Sequence, residues 1–317
     1  MSARAWVAFA SVSVLWGIPY LFIKVAVDDG VPPAFLAWVR VLLAALVLGT
    51  IAWRSGLFGP LRGRGRVLAA YGAFEIAVPF PLIAAGEQRV SSSLAAILIA
   101  TVPLIIAVLA YRFAPSERAS GARLVGLLVG FAGVVVLVGL DVAGRPGELL
   151  GAGLIFVAAL GYAIGPMIYK HNLSDADPRA AMAVSLALAA AFLTPFALLD
   201  VPSSTPSAEA LASLVVLGLL CTAAAFVMFA RLLLEVGPGR ASVITYVAPV
   251  VAVGLGIAVL GERPGPGAVA GLLLIIAGSW LSTGGRLPPV IVAASERLRG
   301  RRLADPAADP RPETSGA

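Results

Sequence analysis

A single carboxylate, Glu75, stands near the middle of a long apolar stretch, AAYGAFEIAVPFPLIAAG. If that stretch crosses a membrane, the charge costs at least ~2.5 kcal/mol on insertion scales, so the residue needs a reason to be there. A carboxyl group at that depth could bind and release a proton, or could meet a cationic group of a substrate. The structural alternative is a fixed ion pair with Arg40 or Lys24, which would hold three helices together. The sequence leaves both interpretations open.

Polar and aromatic residues recur at helical spacing in the same part of the chain. Tyr71 lies four residues before Glu75 and therefore on the same face of a helix. Trp16, Tyr20 and Lys24 follow one another at intervals of four residues, and weaker versions of this stripe occur at Tyr162 and Tyr246. Such a stripe could line a cavity in which rings accept cations or stack on planar substrates. The alternative is that these rings mark the membrane interfaces or fill the bundle core.

Signatures of enzymes and of bound cofactors are missing from the sequence. It has no HExxH, no phosphate-binding loop ending in GK[ST], and a single cysteine and a single histidine, Cys221 and His171. We therefore expect neither a metal site nor a cofactor. A membrane enzyme that uses Glu75 as an acid is the rival hypothesis, and against it stands the lack of a second intramembrane carboxylate or histidine.

The composition indicates that this chain is surrounded by lipid and not by water. Of its 317 residues, 60% are hydrophobic and only 13% are charged, and the mean hydropathy is +0.97. Soluble domains contain about 45 to 50% apolar residues and about 25% charged ones. The formal net charge of +6 does not indicate a nucleic-acid partner, because the cations lie between apolar runs. The expected partners are membrane lipid and a small-molecule substrate, and both a monomer and a homodimer remain open.

Charged or Pro/Gly-rich breaks divide the chain into ten apolar spans of about 20 residues, the length that crosses a bilayer. The predicted fold is therefore an all-α integral membrane bundle. The spans are Trp6–Ala26, Ala34–Trp53, Val67–Gly86, Ser92–Tyr111, Leu124–Leu140, Leu150–Tyr169, Ala180–Leu199, Leu211–Ala230, Ala241–Leu260 and Ala268–Thr283.

Lysine and arginine alternate between the two sets of loops. With the N-terminus inside, 18 of them fall on the cytoplasmic side and three on the other, while Lys24 and Arg40 stay within spans. The positive-inside rule then predicts a multi-pass protein of the inner (plasma) membrane with both termini in the cytoplasm. The basic start of the chain resembles a signal peptide, but Pro19 and Lys24 stand where a cleavage site would follow, so we expect a retained first helix.

An internal repeat appears when the chain is shifted on itself by about 146 residues. The run LWGIPYLFIK then lies over GYAIGPMIYK, Pro103 lies over Pro249, and Glu75 lies over Cys221. After a one-residue gap, further pairs align: Glu117 with Glu262, Gly126 with Gly271, and Gly133 with Gly278. Because each half holds five spans, an odd number, the halves must have inverted topology, which is a transporter architecture. The predicted domains are residues 5–140, residues 150–284, and a disordered basic cytoplasmic tail at 285–317.

These residues resemble the drug/metabolite transporter superfamily, in its EamA-like branch, over nearly the whole chain. The similarity rests on Trp16 and Gly17 with the following Lys24, on Arg40, and on the repeated mid-helix proline with a downstream Glu and Gly. It implies ten helices in two repeats, and a central cavity lined by the first, third, fourth, sixth, eighth and ninth helices. It implies efflux or uptake of metabolites without naming a substrate.

Pro103 and Pro249 are the predicted hinge or cavity positions. Each interrupts a helix and leaves a carbonyl group without its usual donor, which a membrane helix tolerates where other groups or cavity water satisfy it. The substrate- or proton-binding candidates are Glu75, Tyr71, Trp16, Tyr20, Lys24, Arg40, Tyr162 and Tyr246. The sequence predicts a proton- or gradient-coupled carrier of amino-acid-like or small cationic or aromatic compounds, and the resemblance implies that it acts as an exporter. A uniporter or channel without proton coupling is the alternative.

Overall fold

The computed structural model describes residues 3–113, 121–236 and 244–282, and these form ten apolar helices. Five lie in the first half: α1 (Ala3–Gly17 with Pro19–Asp28), α2 (Pro33–Arg54), α3 (Gly65–Gly72, Ala73–Ala77 and Pro79–Glu87), α4 (Ser92–Ile99 with Val102–Phe113) and α5 (Ala122–Leu137 with Val138–Val142). Five lie in the second half: α6 (Pro146–Asn172), α7 (Pro178–Leu199), α8 (Ala208–Val215, Val216–Ala224 and Ala225–Val236), α9 (Ile244–Leu260) and α10 (Pro266–Ser282). The ten predicted spans are confirmed, with ends displaced by a few residues. The proposed tail at 285–317 and Glu117 lie outside the described residues.

Length and apolarity identify the helices that can cross a membrane. Seven are long and apolar enough, and the apolar segments Ser92–Ile106, Val247–Leu260 and Pro266–Leu281 are shorter. Large hydrophobic side chains face outward, as a lipid solvent requires. On α5 and α7 these include Leu128, Phe131, Val135, Phe192 and Phe196.

The helices pair in a pattern that respects the repeat. Three contacts join repeat mates: α2 with α7, α4 with α9, and α5 with α10. Two further contacts are equivalent under the repeat. Helix α3 packs against α6, and their repeat mates, α8 and α1, also pack against each other. The bundle is thus two inverted five-helix repeats packed against each other, as the odd helix number per half requires.

Small residues set the closest of these contacts, between α5 and α10. A Cβ atom placed on Gly133 would lie 3.0 Å from the carbonyl oxygen of Gly271, and one on Gly278 would lie 2.6 Å from the carbonyl oxygen of Gly126. Glycine at these positions lets the two backbones approach, which is the usual device of packed membrane helices. The close approach of α5 and α10 therefore depends on these glycines.

One break in the helices follows the repeat. The π-helical turn Ala73–Ala77 of α3 and the longer π-helical segment Val216–Ala224 of α8 occupy equivalent positions, and they contain the repeat mates Glu75 and Cys221. π-Helical turns arise mostly as single insertions in α-helices and often mark functional sites. The irregular turn therefore belongs to both halves, whereas the carboxylate belongs only to the first.

Arg64, before α3, and Asp175, after α6, join loops of the two halves on one face of the bundle. Arg64 Nη1 lies 2.6 Å from Asp175 Oδ1, and the hydrogen bonds from Arg64 lower the pKa of Asp175. The pair is exposed, so it orders the loops more than it stabilises the fold. The arginine count predicts that this face is cytoplasmic.

The topology prediction can be checked with fusions. A reporter placed after Gly284 should report a cytoplasmic location, because the cations are concentrated on that side. A second reporter in the loop after Leu199 should report the opposite side. If the fusion after Gly284 reads as external, the assignment of the two faces is wrong.

Candidate functional site

Glu75 lies on the π-helical turn of α3, directly against α6. Its side chain is partly buried, and its Oε2 atom is buried and accepts no hydrogen bond from a described residue. The neighbour across the interface is Gly165, where any Cβ atom would collide with the Glu75 carboxylate. One turn earlier, a Cβ atom on Gly161 would lie 2.5 Å from the carbonyl oxygen of Phe74. Two glycines of α6 thus make room for the π-helical turn and its carboxylate.

The fixed ion pair proposed as the alternative for Glu75 is not present. Lys24 Nζ lies 2.9 Å from Asp28 Oδ1 and donates to the carbonyl oxygen of Glu87 at 2.9 Å. Glu87 is 12 residues beyond Glu75 on the same helix, a distance of about 18 Å at 1.5 Å per residue. Lys24 of α1 therefore contacts the end of α3, whereas Glu75 lies nearer the middle of α3.

Arg40 of α2 is a second charged group inside the bundle. Only 6% of its surface is exposed, its Nε donates to Thr222 Oγ1 of α8 at 2.8 Å, and its guanidinium lies 4.0 Å from the ring centroid of Phe80. No carboxylate of a described residue is within ion-pair distance of it. A buried guanidinium that is oriented in this way but not neutralised can accept a carboxylate from a ligand.

Tyr162 of α6 connects the two charged groups. Its ring packs between the two largest apolar clusters, and its hydroxyl is within electrostatic range of both Arg40 and Glu75. Tyr20 lies within range of Tyr162 and Arg40 on the α1 side. Tyr162 thus lies between a cationic group, Arg40, and an acidic group, Glu75, that come from different helices.

The remaining aromatic candidates pack against protein. Tyr71 is buried, with its ring 5.5 Å from that of Tyr169, and its hydroxyl donates to Met182 Sδ at 3.7 Å. The Trp16 ring lies 4.7 Å from that of Phe229 on α8. Tyr71 belongs to one apolar cluster and Trp16 packs against it, so both rings already have protein partners.

The two candidate prolines lie next to helix breaks or close crossings. Pro103 follows the interruption of α4 between Ile99 and Val102. Pro249 lies inside α9, where a Cβ atom on Gly17 of α1 would be 2.8 Å from the carbonyl oxygen of the preceding Ala248. Their hinge role stays a prediction. Tyr246 lies on the same helix, but its side chain is outside the described residues.

Sequence reasoning missed a second buried carboxylate, Glu87. Its side chain is 0% exposed, and neither carboxylate oxygen has a hydrogen-bond partner among the described residues. The statement that no second intramembrane carboxylate exists is therefore wrong. The predicted span ends at Gly86, one residue too early, which leaves Glu87 outside it next to Gln88 and Arg89. Helix ends are uncertain by one or two residues, and allowing for that error would have placed Glu87 inside the span.

Substitution of Gly165 tests the space around Glu75. Gly165→Ala should displace the Glu75 carboxylate and cost about 1 to 3 kcal/mol of stability by overpacking, with a loss of transport. Gly153→Ala, on the same helix, is the matched control, because nothing lies within 4 Å of its added methyl group. That control should be neutral or stabilise the helix by up to about 1 kcal/mol. Thermal unfolding in detergent and transport in vesicles measure both effects, and equal behaviour of the two variants would contradict this packing.

The chain has ten membrane helices in two inverted repeats, and opposite charges lie between the halves. These features define a class of protein, the multi-pass membrane transporters. The chain belongs to the EamA-like transporter family, whose pattern matches residues 4–139 and again residues 149–284.

Several curated relatives are named as transporters. The chain is 29% identical over 260 residues to the uncharacterized inner membrane transporter YedA of Escherichia coli, covering 80% of this chain and 82% of the relative. It is 28% identical over 282 residues to a probable terminal-alkyne amino-acid exporter of Streptantibioticus cattleyicolor, covering 89% and 93%. A solved crystal structure superposes with a TM-score of 0.65 at 21% identity, covering 89% of this chain and 98% of the other, and supports the fold.

Proposed function

We propose that this membrane transporter exports a small amino-acid-like metabolite in exchange for protons. The observation that carries the proposal is the Glu75 carboxylate, which lies at membrane depth with a buried oxygen that no described residue neutralises or hydrogen-bonds. Buried charges in proteins are normally paired, so a carboxylate without a partner is suited to bind a transient one. That partner is a proton or an ammonium group.

The second charged group supports a zwitterionic substrate. Arg40 offers a guanidinium to a carboxylate, Glu75 offers a carboxylate to an ammonium group, and Tyr162 lies within electrostatic range of both. An α-amino acid carries these two charges on one small molecule. The name of the relative in Streptantibioticus cattleyicolor, a probable amino-acid exporter, agrees with this substrate class.

Exchange follows from the chemistry of one carboxylate. If Glu75 binds either a proton or the substrate's ammonium group, the two compete for the same oxygens. A proton entering from outside then displaces the substrate, and the substrate entering from inside displaces the proton. Alternating access of the two repeats would couple the two movements.

Flux measurements in vesicles test this function. The full-length protein is reconstituted and offered a panel of amino acids, their decarboxylated amines and unrelated metabolites, with and without an imposed pH gradient. Movement of an amino acid against its own gradient, driven by the pH difference, supports the proposal. Transport that ignores the pH gradient would establish the uniporter alternative instead.

A further inference from the structure

Glu87 differs from the acidic residues near it in having no donor. Glu262, in the loop between α9 and α10, accepts hydrogen bonds from the backbone N–H groups of Ser92 and Ser93 at 2.7 and 3.0 Å, and from the Ser93 hydroxyl. Asp141 at the end of α5 accepts from the N–H groups of Gly267 and Ala268. Both acids cap a helix N-terminus, where the helix dipole favours negative charge.

The position of Glu87 has the opposite character. It is the last residue of its helical segment, where the exposed carbonyl groups form the negative end of the dipole and disfavour a carboxylate. Its side chain is completely buried, and neither of its carboxylate oxygens is hydrogen-bonded by the described residues. A neutral carboxylic acid fits this environment much better than an anion does.

Charged and titratable groups surround Glu87 on several sides. Tyr20, Lys24 and Asp28 approach it from α1, Arg40 from α2, and Glu262 from the loop between α9 and α10. Lys24 is the nearest cation, since its ammonium group already donates to the backbone oxygen of Glu87. That ammonium pairs with Asp28 instead of the Glu87 carboxylate.

We propose that Glu87 is a proton-binding site separate from Glu75, and that loss of its proton draws the Lys24 ammonium group from Asp28 to the Glu87 carboxylate. In the step, the O–H bond of Glu87 breaks, the proton passes to water, and the charge of the cluster falls by one. The side chain of Asp28 is 56% exposed, so solvent water then hydrates its carboxylate in place of Lys24. Rotation of the Lys24 side chain is sufficient, because its ammonium group already contacts Glu87.

The consequence is a switch at one end of the bundle. Lys24 ties α1 to the end of α3 through Glu87, and it shifts between two acids as the proton comes and goes. Glu75 and Glu87 are about 18 Å apart along α3, so they titrate as separate sites. This inference extends the proton coupling proposed above, but its test does not depend on transport.

Infrared difference spectroscopy of the full-length protein in lipid vesicles tests the assignment. A step from low to high pH should remove the C=O band of a protonated carboxylic acid. The Glu87→Gln variant should lack one component of that band, whereas Glu75→Gln should retain that component. A Glu87→Gln spectrum identical to that of the wild type would overturn the proposal.

A second variant tests the movement of Lys24 with Glu87 left intact. Asp28→Asn removes the competing acid, so Lys24 becomes free to stabilise the Glu87 carboxylate. The midpoint of the Glu87 band should then fall by about one pH unit or more, the usual effect of an opposite charge within 4 to 6 Å. It should fall much less when Asp28→Asn is combined with Lys24→Gln, because only the repulsion by Asp28 is then lost. Asp29→Asn is the control, because Asp29 Oδ2 accepts from the Ser207 N–H group instead. An unchanged midpoint in Asp28→Asn would overturn the switch, and transport that proves independent of protons would overturn only the proposed function.

Discussion

Glu75→Gln should leave the transporter folded and expressed but abolish accumulation driven by a pH gradient. Glutamine has nearly the same shape as glutamate but cannot release or bind a proton at this site. Each pH unit is worth ~1.4 kcal/mol, so one proton per substrate at a difference of about two pH units can sustain about a 100-fold substrate gradient. In the variant that ratio should fall to about one.

The structure makes this variant informative about stability as well. Removing one partner of a buried ion pair typically costs about 3 to 5 kcal/mol, because the other charge is left without compensation. No described residue forms an ion pair with Glu75, so the variant should unfold at nearly the wild-type temperature. Glu209→Gln, the same change at an exposed position, controls for the loss of one negative charge. Proton-driven accumulation by a well-expressed Glu75→Gln protein would exclude Glu75 as an obligatory proton carrier.

The fold was predictable because lipid imposes a strong and local constraint. Each span must be apolar over about 20 residues, and each cytoplasmic loop must be basic, so helix number follows directly from the chain. The repeat was visible for the same reason, since paired features such as Pro103 and Pro249 recur at one spacing.

The site was only partly predictable because its contacts join distant parts of the chain. The Arg40 and Thr222 bond spans 182 residues and depends on how α2 meets α8. Nothing in the hydrophobic pattern reveals the π-helical turn that carries Glu75, because such a turn is a change in hydrogen-bond register. Glu87 was missed because the burial of a residue at the end of a span depends on which other helices pack against it. Single residues such as Glu75 could be recognised, but their partners required the structure.

Arg40→Lys should separate substrates that carry a carboxylate from those that do not. Lysine keeps the positive charge but loses the planar fork that binds a carboxylate with two parallel hydrogen bonds. A hydrogen bond to a charged group contributes about 1.5 to 3 kcal/mol, so the KM of a transported amino acid should rise by about 13- to 160-fold. The KM of the amine that lacks the carboxylate should change little, because its ammonium group binds at Glu75.

Thr222→Val is the matched control for this effect. It removes the acceptor that orients the Arg40 Nε but leaves the guanidinium in place over Phe80. The loss of one neutral acceptor is worth about 0.5 to 1.5 kcal/mol, so the KM of the amino acid should rise only about 2- to 13-fold. Paired KM measurements for each amino acid and its amine, in all three proteins, distinguish a binding role from a positioning one. If Arg40→Lys impairs the amine as strongly as the amino acid, Arg40 holds α2 and α8 together without contacting the substrate, and the zwitterionic substrate class loses its main support.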